Sequence, residues 1–250
     1  MIISNLEHLL VKNYYCLAPD LFERHSYISH FITAQDSVLD VGGEDKILKN
    51  RVGIEKYVTV NVASNEEHYN HFDTTDMENV LYDGKDLPFK DKAFDIVLCI
   101  DVLEHVPFEA RTALIKEMLR VTNKMLICSA PFGTQEHIEG EKLLYKKLRS
   151  MNKSVEFLKE HISRGLPTPE EVSGWANRFS GMTTYSGNFK LSNFLLLLHI
   201  YEAKQPVINH LLFFVKMFIN FFLNILVVPF LTGSKKYSSA TNRFYLIINK

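Results

Sequence analysis

Apolar and polar positions change rhythm along the chain at residue 37. Before it, Leu21, Phe22, Ile28, Phe31 and Ile32 supply helical apolar faces, and Pro19 with Asp20 marks a helix start. Residues 1–35 are expected to form an N-terminal helical segment. From residue 37 short apolar runs take over: "SVLDV", "EKYVTVNV", "NVLYD", "FDIVLCI" and "KMLICSA" read as five strands. Between the last two, "PFEARTALIKEMLRV" carries Leu114, Ile115, Met118 and Leu119 at helical spacing. Apolar strands alternating with helices predict a parallel sheet covered on both faces. Residues 141–162 and 169–180 read as further helices. The second opens on Thr168 as N-cap and Pro169 in the first helical position, with acids in the first turn. "MTTYSGNF" predicts a sixth strand. "RFYLIINK" predicts the last, after the polar loop "TGSKKYSSATN".

Two apolar segments, near 191–204 and 207–231, precede that last strand. In "VINHLLFFVKMFINFFLNILVVPFL", Lys216, Asn220 and Asn224 recur every four residues, and Asn209 lies seven before Lys216. They draw one narrow polar stripe on an otherwise apolar helix. Three settings are open: a membrane span, a helix packed on 191–204 or on a second subunit, or an in-plane membrane helix. A span would bury Lys216 near its middle, at about 2.5–3.5 kcal/mol on insertion scales.

Composition narrows the classes. A chain of 250 residues that is 46% apolar fits one α/β domain with insertions. A net charge of −1, from 28 basic and 29 acidic residues, excludes a broad basic face for nucleic acid. Cys16, Cys99 and Cys128 include no CxxC pair, which argues against a zinc ribbon or a disulfide framework. The first residues lack the basic-then-apolar pattern of a secretory signal. The expected location is the cytoplasm, at the inner face of the membrane if 207–231 meets lipid.

Candidate chemistry gathers where strands end. Asp40 ends the first strand, and Gly42 and Gly43 follow, giving a turn that lets a ligand approach the backbone. Asn61 ends the second strand 21 positions after Asp40, close to the spacing at which nucleotide-binding α/β units place a ribose-binding side chain. "DGKDLPFKDKAFDIVLCIDVLEHVP", residues 83–107, then carries Asp83-Gly84, Leu87-Pro88-Phe89, Phe94-Asp95 and Leu103-Glu104-His105. This stretch resembles the class I S-adenosylmethionine-dependent methyltransferases of the type 11 branch. "LRVTNKMLICSAPFG" resembles the family's next block, with a shortened turn between helix and strand. The resemblance covers roughly residues 36–133.

The resemblance implies a Rossmann-like methyltransferase fold: a mostly parallel seven-stranded sheet with an antiparallel last strand and a helical insertion before it. The corresponding division is 36–190 with 240–250 as the S-adenosylmethionine-binding domain, and 191–231 as the apolar insertion. It implies that Asp40, Gly42 and Gly43 line the methionine part of S-adenosylmethionine and that Asn61 holds the ribose. Asp83 and Gly84 would take the adenine edge, and Asp101 and Val102 would lie under the transferable methyl. Glu44 and Lys46 stand where the family usually has glycine. That suits a pyrophosphate poorly and a methyl donor better, so a nicotinamide-dependent oxidoreductase fits less well.

For a hydroxyl acceptor a general base is expected. His137 and His105 are the catalytic candidates; Glu136 and Glu141 lie near His137 in sequence, and His161 is a further candidate base. The spacing of His137 and Glu141 allows a metal pair, but without a third ligand in view no metal is expected. The runs around His137 and His161 resemble methyltransferase-like proteins of bacterial glycan-assembly clusters. They imply O-methylation of a saccharide or lipid-linked glycan precursor. A peripheral membrane contact or a homodimer through 207–231 would accompany it. The alternative is a catalytically inactive binding or scaffold protein on the same fold, motivated by Glu44, Lys46 and Asn61.

Overall fold

The structure, a computed structural model, describes residues 13–43, 45–62, 78–153 and 155–250. Expectations for residues 1–12 and for Glu44 lie outside these. A seven-stranded sheet runs in the order β3-β2-β1-β4-β5-β7-β6. The strands are β1 (Val38–Val41), β2 (Tyr57–Val62), β3 (Glu78–Tyr82), β4 (Phe94–Ile100), β5 (Thr122–Pro131), β6 (Met182–Ser186) and β7 (Arg243–Asn249). The first five pair in parallel, and β7 inserts antiparallel between β5 and β6. The fold class expected from the sequence is therefore the observed one.

The helices are α1 (Pro19–Ile28), α2 (Ile47–Val52), α3 (Phe108–Val121), α4 (Gln135–Ser150), α5 (Glu156–Arg164), α6 (Pro169–Arg178), α7 (Phe189–Ile200), α8 (Pro206–Leu226) and the short α9 (Val228–Leu231). Both faces of the sheet are buried. Leu39, Val58, Val97, Cys99 and Cys128 join Ile115, Met118 and Val121 of α3 on one face. Val38, Ile96, Leu98, Ile127 and Tyr245 join Ile28 and Leu48 on the other. Cys16, Cys99 and Cys128 are free and buried.

Local departures have local causes. The helix expected over 141–162 is two helices. It begins earlier because the Thr134 hydroxyl caps the His137 N–H. It breaks where Asn152 takes φ +54°, a left-handed conformation that ends a helix turn. The six-residue α2 carries too few apolar positions for a periodic signal. Thr168 and Glu171 complete a reciprocal capping box at the start of α6. The turn between helix and strand, expected to be short, is absent: α3 runs directly into β5 at Thr122.

The apolar α8 is turned inside out. Its polar stripe faces the protein and its apolar side faces outward. The Asn220 amide donates to the Cys16 carbonyl at 3.1 Å, and Asn224 donates to those of Tyr15 and Leu17 at 2.9 Å. Lys216 Nζ reaches the carbonyls of His199 and Tyr201, at 2.9 and 2.8 Å, at the C-terminal end of α7. Asn209 exchanges two hydrogen bonds with the Ala203 backbone. Val207, Leu211, Val215, Phe218, Phe222 and Leu226 are exposed. Packing on 191–204 was one expectation. Lys216 and Asn209 meet that segment, and the helix packs further on the turn at Tyr14–Cys16 and on α1, where its amides satisfy the carbonyls of Tyr15, Cys16 and Leu17. Among the described residues, α8 is the one helix long and apolar enough to cross a membrane.

Candidate active site

A cleft of about 1160 Å³ opens at the carboxyl ends of β1, β2, β4 and β5. In open parallel sheets the crevice beyond these ends is where ligands bind. Its floor is the turn after β1. Gly42 has φ +77°, and a Cβ there would run into Val102; a Cβ on Gly43 would strike the Asp40 carboxyl. The turn is thus glycine for two separate reasons, backbone conformation and close packing. Tyr57 donates to Asp40 at 2.5 Å, fixing one oxygen of that carboxylate.

Asn61 is 2% exposed and lines the cleft. Its amide nitrogen donates to the Gly43 carbonyl and to Asn79 Oδ1, both at 3.1 Å. Its Oδ1 is buried with no hydrogen-bond partner among the described residues. A buried acceptor without a donor is costly, and a ribose hydroxyl would supply one. Together with the glycine cradle, this orphan oxygen fits S-adenosylmethionine. Asp83 and Gly84 lie just past Tyr82, which lines the cleft while they do not. The exposed Asp83 carboxylate accepts from the Lys85 N–H at 2.9 Å. Lys46 does not line the cleft either; Asp45 does, beside His25 at 3.5 Å.

Asp101 has φ +54° at the end of β4, and Val102 packs over Gly42. The Asp101 carboxylate is gripped by Arg24 of α1 and Arg243 of β7. Burial would raise its pKa, but the two guanidinium charges prevail and hold it below the usual carboxylate range. Neither arginine carries a sequence signal. They stand 77 and 142 residues from Asp101 and meet it only through the fold. Arg24 lines the cleft with its Nε buried and without a partner among the described residues, which makes it a candidate partner for a cofactor carboxylate.

The other wall is built from α4, α5 and the turn Leu103–His105. His137 is 3% exposed. Its Nδ1 lies 2.8 Å from the Phe132 carbonyl, an acceptor, so Nδ1 carries the proton and Nε2 keeps its lone pair. Phe189 stacks on the ring at 5.0 Å. Burial lowers its pKa, which keeps the imidazole neutral. Glu141 lies 3.8 Å from His137 Nε2 and accepts from His161 Nδ1 at 3.0 Å. Burial would lower the His161 pKa, and the hydrogen bond to Glu141 outweighs it, so His161 is raised.

His105 and Glu160 meet at 2.6 Å through Nδ1. Glu104 is 1% exposed, and its Oε2 has no partner among the described residues. Burial, reinforced by the Asp101 charge, pushes its carboxyl up to about 8. Arg111, itself 1% exposed, braces this wall. It pairs with Glu171 at 3.0 Å and reaches the carbonyls of Val106, Arg164 and Gly165. The two histidines expected to be catalytic thus share one cleft with the glycine turn, Asn61 and Asp101.

Residues 42–125 match the type 11 family, described as a methyltransferase domain. An uncharacterized protein of Methanocaldococcus jannaschii is 46% identical over 49 residues, which is 20% of this chain and 20% of that protein. The chain therefore matches about a fifth of that curated relative's length. Among solved structures, a SAM-dependent methyltransferase from Archaeoglobus fulgidus is 15% identical, with 97% of this chain and 99% of that one covered and a TM-score of 0.50. The plantazolicin methyltransferase BpumL is 14% identical, with 99% and 90% covered and a TM-score of 0.52. Residues 42–125 thus match a methyltransferase domain, the two solved structures share the fold, and S-adenosylmethionine is the cofactor indicated.

Proposed function

We propose that the protein moves the methyl group of S-adenosylmethionine to a hydroxyl of an acceptor, with His137 taking the proton. The observation that carries this is the His137 tautomer. Its Nδ1–H is committed to the Phe132 carbonyl, so the nitrogen left over is a base, in the cleft that holds the cofactor turn. Methyl transfer from a sulfonium is an in-line displacement, so the protein's main task is alignment. The glycine turn and Asn61 would seat the donor, with Arg24 beside its carboxylate and Val102 beneath its methyl. Asp83 and Gly84 would meet the adenine edge. BpumL was solved with SAH bound, in keeping with this cofactor.

A saccharide or lipid-linked glycan precursor is the acceptor we favour. The cleft wall offers the hydrogen-bonding groups of Glu141, Glu160, His161, Asn193 and Asn242 to a polyhydroxyl ligand. The outward apolar face of α8 would lie in the plane of a membrane carrying such a lipid, since its polar groups are already bound to the protein.

Calorimetry with S-adenosylmethionine and its demethylated product is the first test. Binding of both is expected, and no heat at millimolar ligand would overturn the reading. His137→Gln should keep cofactor affinity while lowering turnover on a glycan acceptor by about 10²–10⁴-fold. Sedimentation with anionic vesicles tests the α8 contact. Loss of pelleting when Phe218 and Phe222 become Ser supports it, and unchanged pelleting or none in the parent protein rejects it.

A further inference from the structure

We propose that Glu104, His105 and His161 form a binding site for a divalent transition-metal ion of the zinc, cobalt or manganese class. One ligand atom from each lies within 4.8 Å of the other two. An ion about 2.0–2.2 Å from each donor needs donor separations of about 3.4 Å, a closure of up to about 1.4 Å that side-chain torsions supply.

The surroundings of the three residues match what ligands need. Each histidine has Nδ1 against a carboxylate, His105 against Glu160 at 2.6 Å and His161 against Glu141 at 3.0 Å. That arrangement fixes the ring, leaves Nε2 as the donor and increases its basicity; metal-bound histidines almost always have such a partner. Two independent copies of it converge on one spot. Glu104 supplies the second, separate observation. It is 1% exposed, lines the cleft and keeps Oε2 buried without a partner. Buried carboxylates are paired or bind metal, and nothing else among the described residues meets that oxygen.

Donor chemistry selects the ion. Two imidazoles and one carboxylate favour a first-row transition metal over magnesium or calcium, which prefer all-oxygen sites. Three protein ligands leave coordination positions open, and all three residues line the cleft. The Arg111 brace holds the backbone at Val106 against that at Arg164 and Gly165, so the two ligand-bearing elements are fixed relative to each other. On the methyl-transfer reading, an acceptor hydroxyl on the ion would lose its proton more readily. That consequence rests on the proposed function, whereas ion binding does not.

The test is titration of chelator-treated, full-length protein with Co²⁺ and Zn²⁺ in the absence of S-adenosylmethionine. It is read by calorimetry and by the visible d–d absorption of bound Co²⁺. One equivalent is expected to bind. Glu104→Gln, which keeps side-chain volume and removes a buried acid, and His161→Gln should each weaken binding at least tenfold. Glu160→Gln should weaken it about 10–100-fold through His105. His199→Gln, in the same cleft but outside the cluster, should leave it unchanged. No stoichiometric binding by the parent protein, or binding retained in both Glu104→Gln and His161→Gln, would overturn the proposal. S-adenosylmethionine affinity measured on the same metal-free samples keeps failure of the ion site distinct from failure of the methyltransferase reading.

Discussion

Replacing Asn61 by Asp installs the carboxylate that a ribose usually meets in folds of this type. Ligand chemistry alone would forecast tighter cofactor binding. The structure forecasts the reverse. The Asn61 amide donates to the Gly43 carbonyl and to Asn79 Oδ1, each at 3.1 Å, and an aspartate has no proton to give either. Asn79 can turn its amide and donate to the new carboxylate, because its other neighbour, the Thr59 hydroxyl at 3.1 Å, can reverse its own bond. The Gly43 carbonyl has no such recourse. It loses its donor and faces a negative charge in a site where Asn61 is 2% exposed. An unsatisfied buried group costs about 1–3 kcal/mol. Taking about 2 kcal/mol, Tm should fall by about 4–8 °C for a domain of this size. Because the Gly43 carbonyl belongs to the cofactor turn, affinity for S-adenosylmethionine should fall about tenfold as well. Thermal unfolding and calorimetry on Asn61→Asp measure both. Unchanged stability with tighter binding would refute the argument and show that the amide does not hold the turn.

Other perturbations follow from the same geometry. Changing Asn220 and Asn224 to Leu makes α8 more apolar, yet should destabilise the protein by about 1–3 kcal/mol per site in urea unfolding, because the carbonyls of Tyr15, Cys16 and Leu17 lose their donors. Arg111→Met should cost about 3–5 kcal/mol by the same assay, since it strands Glu171 beside a buried apolar chain. Asp95 contributes to pH dependence. The Ser37 N–H foremost, with the Ser37 hydroxyl and Asn123, lowers its pKa to about 2. A folded-state value below the unfolded one gives stability that is present above about pH 4 and lost as pH falls through 2. Asp95 is 24% exposed, so solvent screening leaves about 1 kcal/mol. Asp95→Asn should remove that much of the acid-limb slope in pH-dependent unfolding.

Much of the fold is legible in the sequence because its strands are apolar on both faces. Runs such as "FDIVLCI" need no long-range information to be read, and the capping box at Thr168 is local as well. The Asp40–Gly43 turn and Asn61 are legible for the same reason, since spacing along two adjacent strands sets them at one sheet edge. What resists reading is convergence. Arg24 and Arg243 sit in unremarkable stretches, and only the placement of α1 and β7 brings both to Asp101. Glu104 and His161 are separated by α3, β5 and α4 in sequence and become neighbours through packing. The polar stripe of α8 is visible in the sequence, but its direction is not. A stripe that faces water and one that faces bare carbonyls have the same period.

Arg24 comes from the first described helix and Arg243 from the last strand, and both close on Asp101. The centre of the cleft is therefore assembled from material near both ends of the chain. During synthesis, α8 can dock as soon as it emerges, since its carbonyl partners at Tyr15–Leu17 are made first. Asp101 gains its second arginine only when β7 slides between β5 and β6. A nascent chain halted before Arg243 would leave β6 without its strand partner and Asp101 with Arg24 alone. Completion of the cleft thus waits for β7, so a product cut before Arg243 would lack the second arginine on Asp101.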